Sequence, residues 1–193
     1  MYNYSYNERS SLNKRSNKMN SQSTTLESKS VNKTSQTHGS ISESEAKTAL
    51  ENWGKGLVKI AQTHKNGGNA KSVAAEFILS AYNYKEAEVL FKPTLASVST
   101  FRKTFDGALS YFVSGDAKFA EDNGFALIPW QKAEFEIAGV YTSGNTALIM
   151  GNKHLTKEDG TVVKANFTMG FKKNDHHEIK IVLHHSSLPY QPQ

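Results

Sequence analysis

Hydrophobic and polar positions change their spacing once along this chain, and the change divides it into a helical half and a strand half. Behind Ser42, the apolar residues Ala46, Ala49, Leu50, Trp53, Leu57, Ile60 and Ala61 recur three, four and seven apart, predicting one long amphipathic helix. Ser42-x-x-Glu45 is a capping box with Ile41 as its staple residue, and Asn66-Gly67-Gly68-Asn69 is the stop. A second helix is expected near Lys71–Tyr82, with Val73, Phe77, Ile78 and Ala81 on its apolar face. Val89–Thr94 is expected to be extended, because Pro93 disfavours a helical Lys92. A third helix is expected around Thr104–Val113 on Phe105, Leu109 and Phe112, followed by a loop from Ser114 to Gly124.

From Trp130 the period becomes two. Ala133, Phe135 and Ile137 alternate with Lys132, Glu134 and Glu136. Turns at Ser143-Gly144-Asn145, Glu158-Asp159-Gly160 and Asn174-Asp175 separate this strand from three more: Thr146–Leu155, one carrying Val163, Ala165, Phe167, Met169 and Phe171, and Glu178–Ser187. Helices followed by an antiparallel meander make an α+β domain, and a long helix laid across a curved sheet encloses a pocket. In the last strand Ile179, Ile181 and Leu183 place the odd positions inside, so His185 and Ser187 are expected to face the pocket and His184 and Ser186 the opposite side. In the second strand Leu148 and Met150 share a face with Asn152 and His154, which are therefore also candidates for the pocket.

Composition narrows the function. No run approaches the roughly 20 apolar residues of a membrane span, so a soluble protein with no membrane partner is expected. The net charge of +5 resides mainly in residues 1–40, half of them Ser, Thr or Asn; residues 41–193 are almost neutral, which argues against a nucleic-acid face. Residues 1–40 are predicted to be a disordered Ser/Asn/Lys-rich tail, and 41–193 the folded domain. Arg9, Lys14, Arg15 and Lys18 against Glu8 resemble a transit peptide in composition, without an amphipathic stripe. The expected location is cytoplasmic, or a plastid or mitochondrion if the tail is such a peptide.

There are no cysteines, which excludes disulfides, thiolate catalysis and cysteine metal sites. The pairs His176-His177 and His184-His185 diverge on a strand, and no His-x-His or His-x-x-x-His spacing occurs, so neither a metal nor another cofactor is expected. No Gly-x-Ser-x-Gly elbow, phosphate loop or dinucleotide fingerprint is present. Taken residue by residue, the reading ends at a pocket-bearing α+β domain; His185 and Ser187 would equally serve as a structural histidine and a strand-end hydroxyl.

Four segments go further: Leu90-Phe91-Lys92-Pro93-Thr94, Phe105-Asp106-Gly107-Ala108-Leu109-Ser110-Tyr111-Phe112, Gly124-Phe125-Ala126-Leu127 with Pro129-Trp130, and Leu183-His184-His185-Ser186-Ser187-Leu188-Pro189-Tyr190. Together, over roughly residues 43–190, they resemble the nuclear transport factor 2-like (NTF2-like) superfamily of the calcium/calmodulin-dependent kinase II association-domain type, and more closely its iota-class carbonic anhydrases of the metal-free branch. The resemblance implies a cone-shaped fold, N-terminal helices packed on a curved antiparallel sheet, and a homodimer. It also implies metal-independent, reversible hydration of carbon dioxide to bicarbonate. By motif, the substrate-holding hydroxyls fall on Thr94, Tyr111 and Ser187, with His185 beside them to orient water or relay a proton; Thr104 is a competing threonine.

Two other readings remain open at this stage. One is a non-catalytic module for oligomerisation or small-molecule binding. The other is an isomerase or cyclase, which would want a carboxylate general base that the inward faces lack.

Overall fold

The computed structural model describes residues 39–192, so the predicted tail lies outside the described residues apart from Gly39 and Ser40. Helix α1 spans Glu43–Lys65 and opens on the expected capping box. Glu45 N–H donates to Ser42 Oγ (3.2 Å) and Ser42 N–H donates to Glu45 Oε2 (2.8 Å), an arrangement typically worth about 1 kcal/mol. Its buried stripe is Ala46, Leu50, Trp53, Gly54, Leu57, Ile60 and Ala61. Each of the large aliphatic members contributes roughly 1.5–3 kcal/mol through burial. Helix α2 (Ala70–Ala81) is capped by Asn69 Oδ1, which accepts from Ser72 N–H at 3.0 Å. Helix α3 (Phe105–Val113) is capped by Thr104 Oγ1, which accepts from Gly107 N–H at 3.3 Å.

The strands are β1 (Leu90–Lys92), β2 (Trp130–Ser143), β3 (Thr146–Lys157), β4 (Val162–Lys173) and β5 (Ile179–Ser187). They form one sheet in the order β1-β5-β4-β3-β2. The meander β2–β5 is antiparallel, and β1 adds a short parallel edge to β5. The architecture is therefore α+β. Helix α1 lies on one face of the sheet, mainly against β2. Gly54 permits that approach, because a Cβ there would stand 2.9 Å from Phe135 Cε2 and 3.0 Å from Ala133 Cβ.

One irregularity reverses the expected face of β5. Phe171 pairs with Ile181 and its neighbour Gly170 pairs with Leu183, which leaves Val182 as an extra, bulged residue. An extra residue shifts a strand's alternation by one. Ile181 is buried at 1 % exposure, and beyond the bulge it is His184 and Ser186, each at 1 %, that point inward. His185 is exposed and Ser187 half-buried on the opposite face. The odd-position expectation is correct up to Ile181 and wrong after it.

The second expectation that fails concerns β3. Its inward row is Ala147, Ile149, Lys153 and Leu155, set by pairing with Phe171, Met169, Ala165 and Val163 on β4. Leu148 and Met150 are apolar but lie outside at 40 % and 55 % exposure. With them on the outer face, Asn152 donates to Glu136 Oε2 at 2.9 Å, and His154 Nε2 is 3.5 Å from the same oxygen. No helix among the described residues is long and apolar enough to cross a membrane.

Candidate active site

Between α1, α3 and the inner faces of β3 and β5 lies a narrow, tightly packed cavity lined by Trp53, Phe91, Pro93, Thr94, Tyr111, Phe112, Phe125, Lys153, His184 and Ser186.

His184 is held by a relay that begins on α1. Trp53 Nε1 lies 2.8 Å from Tyr82 Oη, which lies 2.8 Å from His184 Nδ1. An indole N–H can only donate, so Tyr82 accepts from Trp53, and Nδ1 is the one acceptor among the described residues for its own proton. The neutral ring therefore carries its hydrogen on Nε2. That atom is buried and has no hydrogen-bond partner among the described residues. Phe91 stacks on the ring at 4.8 Å and Trp53 meets it edge-on at 5.2 Å. Burial, then the charges of Lys153 and His185, hold His184 well below the usual imidazole range, so it stays neutral at physiological pH.

Thr94 follows β1 and Pro93. Its Oγ1 donates to Ser186 Oγ at 2.8 Å, and Ser186 Oγ donates to the Asn166 carbonyl at 3.0 Å. Tyr111 on α3 stacks on Phe125 at 5.3 Å, and its oxygen accepts from Leu95 N–H at 3.4 Å, which leaves its own O–H to donate. Burial raises the Tyr111 phenol above its ordinary range, so it remains protonated.

The segment after Thr94 is tied down from behind. Glu121 accepts from the backbone N–H groups of Ser97, Val98 and Ser99 at 2.8, 3.0 and 2.7 Å. Those bonds pull its carboxyl down to about 2. Beside it, the buried Arg102 meets the equally buried Asp122 at 2.7 Å.

Lys153 projects from β3 into the same space at 1 % exposure. Its Nζ sits 4.8 Å from the Trp53 ring centroid and 5.9 Å from that of Phe125. Burial, and then the Lys92 ammonium, bring it down to about 7.

Of the residues expected from sequence, Thr94 and Tyr111 meet at this cavity, while Thr104 serves as the α3 cap. His185 and Ser187 do not reach it; they border a depression on the outer face with Met150, Asn152, Asn166 and Thr168. Their neighbours His184 and Ser186 occupy the inward positions instead. Sequence reasoning also missed Lys153, Tyr82 and Trp53. A lysine in the apolar phase of β3 (Ala147, Ile149, Lys153, Leu155) was the available signal for the first. Gly170 inside β4, a common mark of a bulge, was the signal for the parity change. Among the described residues no three His, Cys, Asp or Glu side chains are grouped to hold a metal ion.

The sequence model of the metal-independent carbonic anhydrase family matches residues 44–188. A protein of Nostoc sp. (strain PCC 7120 / SAG 25.82 / UTEX 2576) named metal-independent carbonic anhydrase is 47 % identical over 154 residues, covering 78 % of this chain and 75 % of its own. The crystal structure of the iota-carbonic anhydrase from a cyanobacterium, complexed with bicarbonate, aligns with a TM-score of 0.78 at 46 % identity, over 79 % of this chain and 95 % of that one. An NTF2-like protein of unknown function from Pseudomonas putida KT2440 aligns at 14 % identity and a TM-score of 0.48, over 77 % and 87 % of the two chains.

Proposed function

The chain belongs to the metal-independent carbonic anhydrase family, and from that premise we propose that the cavity at Thr94, Tyr111, His184 and Ser186 is where it interconverts carbon dioxide and bicarbonate. The observation that carries this siting is the orphaned Nε2–H of His184, a buried donor on a residue that lines this cavity. Buried polar groups are nearly always satisfied, so a lone donor calls for a ligand oxygen.

The reaction joins a water oxygen to the carbon of carbon dioxide and shifts negative charge onto its oxygens. Phe91, Phe112 and Phe125 offer the apolar wall that receives a nonpolar substrate. His184 Nε2–H and Tyr111 O–H are fixed donors for the oxygens on which charge develops. Donors set in place beforehand in a low-dielectric site stabilise such charge without reorganising at the moment of reaction. The Thr94–Ser186–Asn166 chain keeps the hydroxyls in register, and holding water against substrate supplies the orientation that the uncatalysed reaction lacks. With Nδ1 taken by Tyr82 and the hydrogen on Nε2, His184 acts as a donor and not as a base.

Stopped-flow hydration of carbon dioxide by chelator-treated protein tests the function. Activity that survives the chelator supports it, and inert protein favours a non-catalytic association module. Tyr111→Phe tests the site: the fold should persist and the rate should fall by about a hundredfold or more, as expected for loss of one transition-state donor. An unchanged rate removes Tyr111 from the mechanism.

For the assembly, we propose a homodimer through the outer face of the sheet. Tyr141 and Leu148 are cross-strand partners there, exposed at 63 % and 40 %, with Met150 alongside at 55 %. A contiguous exposed apolar patch of this kind favours self-association. Sedimentation of Tyr141→Glu against the parent chain checks it: a monomeric parent, or a dimer that survives the substitution, overturns it.

A further inference from the structure

Lys153 is unexplained by packing. Its side chain occupies an apolar row of β3, opposite Phe135 on β2 and Ala165 on β4, where a methionine would fill the same space without an ionisable end. Burying an ammonium without a carboxylate is disfavoured, and the charged neighbour that acts on Lys153 is the cation Lys92. The titratable groups around it are Lys92 on β1, Tyr111 on α3 and His184 on β5; α1 contributes Trp53, and the turn after Gly124 contributes Phe125. None is an anion. A bicarbonate in the cavity would supply the missing countercharge.

The hydration step also needs a proton acceptor, and the other cavity groups are committed. His184 Nδ1 is occupied by Tyr82 and its Nε2 carries hydrogen. Ser186 Oγ already accepts from Thr94. Tyr111 is protonated, and no aspartate or glutamate lines the cavity. Resting on the proposed siting of the reaction, we infer that Lys153 is a catalytic residue: its neutral amine takes the proton of the attacking water, and the resulting ammonium pairs with the bicarbonate formed.

The step balances. The water oxygen bonds to the carbon of carbon dioxide while one C=O π pair moves onto oxygen. The water proton goes to the Lys153 amine, giving bicarbonate and Lys153 ammonium, and solvent takes the proton back after bicarbonate leaves. Because burial lowers the Lys153 pKa to about 7, both forms are present near neutral pH, as efficient general bases require. The base form grows as pH rises, so hydration strengthens with pH through that region. Dehydration of bicarbonate needs the ammonium and runs the other way.

The experiment is the pH profile of carbon dioxide hydration for the parent protein and Lys153→Met, with circular dichroism on both. The parent should show an inflection near pH 7, and the variant should keep the fold, lose about a hundredfold or more in kcat and lose the inflection. If the variant does not fold, the ¹³Cε titration of Lys153 in the labelled parent decides: a midpoint near 7 that shifts up with bicarbonate supports the role, and a midpoint near 10 overturns it. A variant with parental rate and profile, or one that is slow yet keeps the inflection, overturns the inference and leaves the carbonic anhydrase reading standing. An inert parent overturns both.

Discussion

The hydroxyl of Tyr82 lies 2.8 Å from Nδ1 of His184, across 102 residues of chain, and this one contact sets which nitrogen of the imidazole faces the cavity with a proton. Trp53, on a third element, fixes the direction by donating to the same hydroxyl. The orientation of His184 is thus governed by Trp53 in the cavity wall and by the buried Tyr82 behind it.

Tyr82→Phe removes the donor to Nδ1 and the acceptor for Trp53 Nε1 while keeping the ring. Two buried polar atoms lose their partner, at about 1–3 kcal/mol each, so unfolding in urea should show a loss of about 2–6 kcal/mol. ¹⁵N spectra of the histidine ring should show His184 no longer confined to the Nε2–H tautomer, with hydration activity reduced. A ring that stays wholly Nε2–H would show that Tyr82 does not set the tautomer.

Ser186→Ala and Ser187→Ala, one residue apart, should differ sharply. The first breaks the Thr94–Ser186–Asn166 chain and should lower both carbon dioxide hydration and stability, the latter by about 1 kcal/mol. The second alters the outer face and should leave activity at the parental level. Stopped-flow rates for the two variants check it, and the opposite order would place β5 in the other register.

Glu121 links acid stability to the segment beside Thr94. Its folded pKa of about 2 lies below the ordinary 4.5, chiefly through the backbone N–H groups of Ser97, Val98 and Ser99. A group depressed on folding stabilises the protein above its unfolded pKa and loses that contribution as pH falls through the folded one. Glu121→Gln should therefore be less stable than the parent at pH 6, and the gap should close between pH 4.5 and pH 2. Thermal melts across that range test it. Glu45, also lowered to about 2, retains its own acid sensitivity in the variant.

Much of the scaffold is local chemistry, and that part was legible from the chain. The capping box at Ser42 and Glu45, the 3.6-residue stripe through Trp53, the Asn-Gly break after α1 and the three hairpin turns all depend on residues close in sequence. Thr94 and Tyr111 came from motif resemblance, and the fold brings them to one cavity. What could not be read was which face of β5 and β3 looks inward. Alternation along a strand is strict only while its pairing is regular, and Val182 is extruded because β4 offers Phe171 and Gly170 where β5 runs three residues, Ile181 to Leu183. That mismatch exists only between strands.

The amino-acid sequence by itself determined the α+β plan and the approximate extent of the helices. The tertiary structure alone decided that His184, Ser186 and Lys153 line the cavity while His185 and Ser187 lie on the outer face. The reason is physical: a helix satisfies its backbone within a few residues and carries its period with it, whereas a strand's inner face is settled by the register of its neighbour and by the helix packed on the sheet.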